Sequence, residues 1–328
     1  MPGLKSLIAL YSASRKRLPL TLWLHEKRKD GTDGLGYRIV VIVPAIAYGI
    51  ARNVFCRKAP HEVAHNVVVV AIIKNEGSYL KEWVEYHRLL GIDRFYLYDN
   101  ESTDNTREVL VPYVEDGLVV LRSMAGSARQ MDAYNDALNR YGKSCKYMAF
   151  IDADEFIAVD DVPLEDYLDQ KLVGPVGGLS LNWLVFGSSG KTTHEEGLVT
   201  ERFARRAHYS HEKNRHIKQI CKPYTVLGTH NPHYCRFLWG FYAVDVWGRR
   251  TSGSMSDELP SVPFPRIQHY FCKSLEEYKE KRARGCADER DMRPMDDFYE
   301  HDCNDVEDVT LASRADELRQ ACGLVGKA

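Results

Sequence analysis

Cysteine is thinly and irregularly placed in this chain. The eight cysteines, at 56, 145, 221, 235, 272, 286, 303 and 322, form no Cys-x-x-Cys pair. That spacing argues against a zinc ribbon and offers no disulfide framework, so reduced thiols are the simplest expectation. Net charge is nearly absent too, at −2, which removes any global electrostatic case for nucleic-acid binding. No long apolar run stands near the start. The segment 39–51 is apolar for only thirteen residues, contains Pro44 and is flanked by Arg38 and Arg52. A membrane-spanning helix needs about 20 such residues, so this segment is read as buried or as lying on a membrane surface. Residues 1–36 show no secretory signal, for want of an apolar core followed by a small-residue cleavage site. Internal repeats and low-complexity tracts are missing as well.

What is there is a core. Of the 328 residues, 44% are hydrophobic and 11% aromatic, enough for one large domain or two modest ones. Charge of each sign is segregated. Residues 1–66 hold eleven Lys/Arg against four Asp/Glu, whereas residues 286–308 hold ten acids and two Arg. A basic leader on a near-neutral chain fits contact with anionic lipid or an acidic partner, and equally a solvated tail. The expected organisation is a leader over 1–60, a domain over 61–310 divided near 160, and a tail over 311–328.

Periodicity organises the domain. Residues 66–73 are a β-branched run of the kind buried on both faces of a parallel sheet. Residues 76–90 place Leu80, Trp83, Val84, His87 and Leu90 at helical spacing, and Gly91 stops the helix. Strands are expected at 94–98, 118–121 and 147–151, a helix opening at Ser102, and another over 128–141. This alternation means βαβ units and a mostly parallel sheet with covered faces. Farther on, 179–186 reads as a strand leading into the glycine-flanked stretch 187–190, and 198–207 reads as a helix with Glu201 near its start. Ser274 and Glu277 form a capping box that opens a helix over 274–284.

The run from Phe150 to Phe156 ends an apolar stretch in Asp152, Asp154 and Glu155. Burying carboxylates is costly unless they are paired or bound to metal, so a cation site is the reading. On an extended backbone Asp152 and Asp154 point to one side, and oxygen ligands suit Mg²⁺ or Mn²⁺. A strand running into an acidic turn is the plainer alternative. Asn75-Glu76, Asp99-Asn100 and Asp152–Asp154 all fall at strand carboxyl ends, where ligands of open α/β sheets bind. Their convergence favours a functional site.

Several strings together resemble family 92-like glycosyltransferases, which are close in fold to family 2 of the GT-A type. They are Ala71-Ile72-Ile73-Lys74-Asn75-Glu76, Glu82-Trp83-Val84-Glu85-Tyr86-His87, Tyr98-Asp99-Asn100-Glu101-Ser102-Thr103-Asp104 and Phe150 to Phe156. Asn182-Trp183, Glu201-Arg202-Phe203, His269-Tyr270 with Lys273-Ser274, and Asn304-Asp305-Val306-Glu307-Asp308 continue the order. The resemblance covers roughly 66–310. It implies a GT-A-type α/β fold, a mostly parallel sheet with helices on both faces, in which a Rossmann-like nucleotide half precedes an acceptor half.

The resemblance also implies roles. Asp154 binds Mn²⁺ or Mg²⁺, with Asp152 near ribose and sugar and within reach of the same ion. His269 is the further metal ligand, and Lys273, beside a helix N-terminus, meets the phosphates. His230 and His233 are a competing metal pair, disfavoured by Pro232 between them. Asp99 accepts the imide N–H of uracil, Asn75 and Glu76 flank base and ribose, and Arg129 and Gln130 reach the diphosphate or ribose. Glu201 is the expected base and Asp245 the alternative. Trp183 and Trp239 are candidates to stack on sugar, although core packing suits both better. The expected function is a metal-dependent inverting transfer of a hexose from a UDP-sugar to a glycan or glycolipid, at the cytoplasmic face of a membrane. A nucleotidyltransferase is a competing class, but 74–77 supplies no glycine-rich phosphate loop. A non-catalytic carbohydrate-binding protein is the other.

Overall fold

The computed structural model describes residues 60, 62–160, 162–259, 265–285 and 294–324. The leader 1–59, with its apolar segment, lies outside the described residues. From His65 the expected alternation follows: β1 (His65–Ile73), α1 (Gly77–Leu89), β2 (Arg94–Asp99), α2 (Thr106–Glu115), β3 (Val119–Ser123), α3 (Gln130–Tyr141) and β4 (Cys145–Phe150). Strands β4, β1, β2 and β3 lie side by side in that order, all parallel.

The β-branched run of β1 explains the layering. Alternate residues Val67, Val69, Ala71 and Ile73 pack with Leu80, Trp83 and Val84 of α1. Val68, Val70 and Ile72 face the other way, onto Ala133, Tyr134 and Ala137 of α3. Helices therefore cover both faces, and each fully buried aliphatic side chain contributes about 1.5–3 kcal/mol. Trp83 Nε1 also donates to Glu155 O at 2.8 Å and Tyr86 Oη to Ile157 O at 2.7 Å, which ties α1 to the strand after the acidic run.

The second half contains β5 (Glu155–Ala158), α4 (Leu164–Lys171), β6 (Val176–Val185), α5 (Val199–Arg202), β7 (Arg205–Arg206) and β8 (Ile217–Cys221). It continues with β9 (Val226–Thr229), β10 (Cys235–Phe237), β11 (Tyr242–Val244), β12 (Arg250–Thr251) and β13 (Arg266–His269). Last come α6 (Leu275–Ala283), α7 (Asp296–His301), β14 (Val306–Glu307) and α8 (Ala315–Ala321). Antiparallel β8 sits between β4 and β6, so the two halves share one ten-stranded sheet. β13 pairs in parallel with β6 and antiparallel with β5. Among the described residues, no helix is long and apolar enough to cross a membrane.

Three local expectations are corrected. Ser102 does not open α2. Its hydroxyl accepts from Asn75 N at 3.0 Å, and the helix starts at Thr106, whose N–H bonds Asp104. The helix expected over 198–207 shrinks to the four residues of α5: Glu82 of α1 accepts from its first N–H groups, those of Val199 and Thr200, at 2.6 and 3.0 Å, and the chain leaves the helix at Phe203. Arg205 and Arg206 then pair with β14. The tail expected from 311 belongs to the fold, since Leu311, Ala315, Leu318 and Cys322 are buried in the core beside α1. The capping box at Ser274 forms as expected, with Glu277 N to Ser274 Oγ at 3.3 Å and Ser274 N to Glu277 Oε2 at 3.0 Å.

Candidate active site

A cleft of about 510 Å³ opens over the carboxyl ends of β1, β2 and β4, between the two halves of the sheet. Its floor is the acidic run. The backbone there does not stay extended: β4 ends at Phe150, a turn follows, and β5 starts at Glu155. Glu155 N–H donates to Asp152 O at 3.0 Å, and Asp152 N–H donates to Glu155 Oε2 at 2.8 Å. The turn sends the two aspartates to different cations, a correction to the shared-side expectation.

Asp152 accepts from Lys218 Nζ at 2.7 Å, Gln130 Nε2 at 2.7 Å and Tyr134 Oη at 3.3 Å. Lys218 enters from β8, is 1% exposed, and also lies 3.3 Å from Glu155. Asp154 pairs with Lys281 of α6, and its Oδ1 lies 3.7 Å from His269 Nε2 at the end of β13. Burial opposes ionisation of both aspartates, but Lys218 draws Asp152 below the usual range and Lys281 with His269 hold Asp154 well below it. Glu155 shows the opposite balance: burial outweighs Lys218 and pushes its carboxyl up to about 8. Burial also lowers His269, against the pull of Asp154, which favours the neutral imidazole a metal ligand needs.

The walls combine aromatic rings and charge. Trp183 stands 4.1 Å from the His269 ring, 4.8 Å from His216 and 5.1 Å from His233. Burial pushes His216 down to about 4 and His233 down to about 3, so this wall is uncharged at neutral pH. On the opposite rim Arg284 pairs with Glu76 and donates to Asn75 O. Lys74, Lys213, Asn100 and Asp297 also line the opening.

The donor set fits a divalent ion. Two ligands each about 2.1 Å from one ion lie at most about 4.2 Å apart, and 3.7 Å is within that span. His269 Nδ1 is buried and unpartnered, while Nε2 faces the Asp154 carboxylate, the side on which an ion would sit. No three His, Cys, Asp or Glu donors group together among the described residues, so an ion here would complete its coordination with water or with oxygens of a bound molecule.

Other expected residues are placed differently. Asp99 is fully buried, paired with Arg107, and accepts from Ser102 N at 3.0 Å; it is occupied, and its neighbour Asn100 reaches the cleft instead. Asn75 has φ 51° and its side chain accepts from Thr103 N at 2.7 Å, so it fixes the loop after β1 and does not line the cleft. Arg129 pairs with Asp132 on the surface and is also outside. Lys273 Nζ lies 4.0 Å over the Tyr79 ring. Lys281 and Arg284, later in the chain, line the cleft instead, with Lys74 and Lys213. Neither expected base is present: Glu201 pairs with Arg319 at 2.7 Å, its short helix turned to α8. Asp245 accepts from Arg249 Nε at 2.7 Å and lines a separate hollow of about 80 Å³. That hollow adjoins the opposite end of β6 from Trp183, since Val244 pairs with Leu179. Trp239 is 78% exposed and remote from the wall formed by Trp183.

An α/β sheet that gathers carboxylates, ammonium groups and imidazole at its strand ends is an enzyme-like cleft for a polyanionic ligand. Residues 67–246 match the model of glycosyltransferase family 92, and the chain belongs to that family. A family 92 protein of Oryza sativa subsp. japonica is 32% identical over 140 residues, 42% of this chain and 24% of that one. The galactan beta-1,4-galactosyltransferase GALS2 of Arabidopsis thaliana is 37% identical over 90 residues, 24% of this chain and 17% of that one. The chain thus spans about a quarter or less of the length of these relatives. Among solved structures, S. aureus TarS 1-349 in complex with UDP aligns at 17% identity over 48% of this chain and 47% of that one, with a TM-score of 0.31.

Proposed function

We propose that this chain transfers a hexose from a UDP-sugar to a hydroxyl of a glycan or glycolipid, with inversion at the anomeric carbon. The observation that carries the reading is the pairing of Asp154 with His269 and Lys281 on the floor of a cleft in a family 92 domain. Galactose is the favoured hexose, because relatives bear the name galactan beta-1,4-galactosyltransferase.

The divalent cation, Mn²⁺ or Mg²⁺, would be held by Asp154 and His269 and would supply Lewis-acid stabilisation of the departing diphosphate. The chain's own groups do the rest. Lys281 and Arg284 offer positive charge to the phosphates, and Gln130 with Lys218 fixes the Asp152 carboxylate toward the sugar. Trp183 and the neutral rings of His216 and His233 give an apolar face that suits the C–H side of a pyranose. Asp297 takes the role of base. It lines the cleft from the first turn of α7. The acceptor oxygen bonds to the anomeric carbon, the bond from that carbon to the diphosphate oxygen breaks, and the acceptor proton passes to Asp297.

UDP release and product formation with a panel of UDP-hexoses and galactan oligosaccharide acceptors test this. Transfer from UDP-galactose is expected, with Asp297→Asn lowering kcat at least about a hundredfold while nucleotide binding persists. Absence of transfer from every UDP-hexose overturns the assignment. Placement at the cytoplasmic membrane face rests on the basic leader of residues 1–66. Unchanged membrane flotation after deletion of residues 1–58 would contradict it.

A further inference from the structure

We infer that Lys281 is a built-in counter-ion that competes with the divalent cation for Asp154, so that cation and nucleoside diphosphate enter this cleft together. The inference rests on the donor-site reading and adds an order of events to it. Lys281 is 8% exposed, and beyond Asp154 its ammonium donates to Phe271 O at 3.0 Å and lies 4.0 Å over the Phe271 ring. Its helix is held at the start by the capping box, so the side chain reaches Asp154 from a fixed backbone.

The floor of the cleft is close to electroneutral without any ion. Glu76 is balanced by Arg284, Asp152 by Lys218 and Asp154 by Lys281. A free divalent cation therefore meets little net attraction. It would find two protein donors, one of them already neutralised, and would have to leave an ammonium without its carboxylate. Stripping water from such an ion for two donors is unfavourable, and Mg²⁺ in particular is held chiefly with substrate phosphates. A diphosphate changes both sides of the exchange. Its oxygens complete the ion's coordination, and its remaining charge gives the displaced Lys281 ammonium a new partner within the same cleft. The result is positive coupling between two ligands, reciprocal by linkage.

Calorimetric titration of Mn²⁺ into the full chain, with and without UDP, reads this without turnover. For wild type, UDP is expected to tighten Mn²⁺ binding by about tenfold or more, a usual size for coupling between sites. Lys281→Met is expected to bind Mn²⁺ alone more tightly than wild type and to keep only the part of the UDP coupling that the diphosphate oxygens supply, whereas Lys281→Arg keeps all of it. Circular dichroism verifies that each variant is folded. Wild-type Mn²⁺ affinity that is the same with and without UDP overturns the proposal, whatever the variants do. So does UDP-coupled binding that Lys281→Met leaves unchanged, and in that case the donor-site reading survives. No Mn²⁺ binding by either protein, even with UDP, overturns both.

Discussion

Replacing Lys218 with methionine keeps most of the side-chain volume and removes the buried cation behind Asp152 on the cleft floor. Lys218 is 1% exposed, 2.7 Å from Asp152 and 3.3 Å from Glu155. Removing one partner of a buried ion pair costs about 3–5 kcal/mol, because the other charge stays behind. Two facts place this case at the lower end. The Asp152 side chain is 33% exposed and keeps its bonds from Gln130 and Tyr134. Glu155, pushed up to about 8 by burial, is mostly protonated at neutral pH and has little charge to strand. A loss of about 3 kcal/mol is therefore expected in urea denaturation at pH 7. The double variant Lys218→Met/Asp152→Asn removes the stranded charge and should recover at least half of it. A single-variant loss under about 1 kcal/mol, the size of an exposed pair, would refute the reasoning. A double variant no better than the single would refute it too.

Three further outcomes follow from the same contacts. The folded-state value of Glu155 lies above its unfolded one, so its contribution is complete below about pH 4.5 and is lost as pH rises through about 8. Urea midpoints measured across that interval should thus shift in favour of Glu155→Gln relative to wild type, and a constant difference would contradict this. His87 runs the other way: burial lowers it to about 3, with Nδ1 bonded to Trp83 O at 2.8 Å and Nε2 accepting from Ile157 N at 3.2 Å. Its contribution is present above about pH 6.5 and lost as pH falls toward 3, so His87→Gln should be less stable at pH 7 yet show a shallower acid decline. Gly187→Ala would put a Cβ 2.5 Å from Cys303 O and 2.6 Å from Asn304 Oδ1. A loss of about 1–3 kcal/mol is expected by thermal denaturation, and a neutral substitution would show that this loop yields freely.

The first half of the fold was legible because its signals are local. The β-branched run of β1 and the spacing of Leu80, Trp83 and Val84 each lie within one element, as does the capping box at Ser274 in the second half. The acidic run was legible as a site for the same reason. Its counter-ions were not, since Lys218 and Lys281 lie 66 and 127 residues from the aspartates they bind. One signal was available: a lysine between the apolar Ile217 and Ile220 of a buried strand must find a carboxylate, because lysine is hardly ever fully buried unpaired. Glu201 was misplaced because a helix-start acid looks alike whether it faces a cleft or an arginine, and Asp245 because nothing near it in sequence shows that its strand ends away from the cleft. Asp99 sits at its strand end as expected, but Arg107 in the first turn of α2 takes it, a contact no periodicity encodes.

The central claim is a cation-bridged nucleotide site at Asp154, and thermal unfolding with UDP and Mn²⁺ tests it most directly. With ligand at about a hundred times its Kd, linkage stabilises the native state by about 2.7 kcal/mol, a shift of several degrees. Wild type should show that shift with UDP and Mn²⁺ together and little with either alone, and Asp154→Asn should lose it. An equal UDP shift without cation and in Asp154→Asn, or no shift in wild type under any condition, would contradict the account.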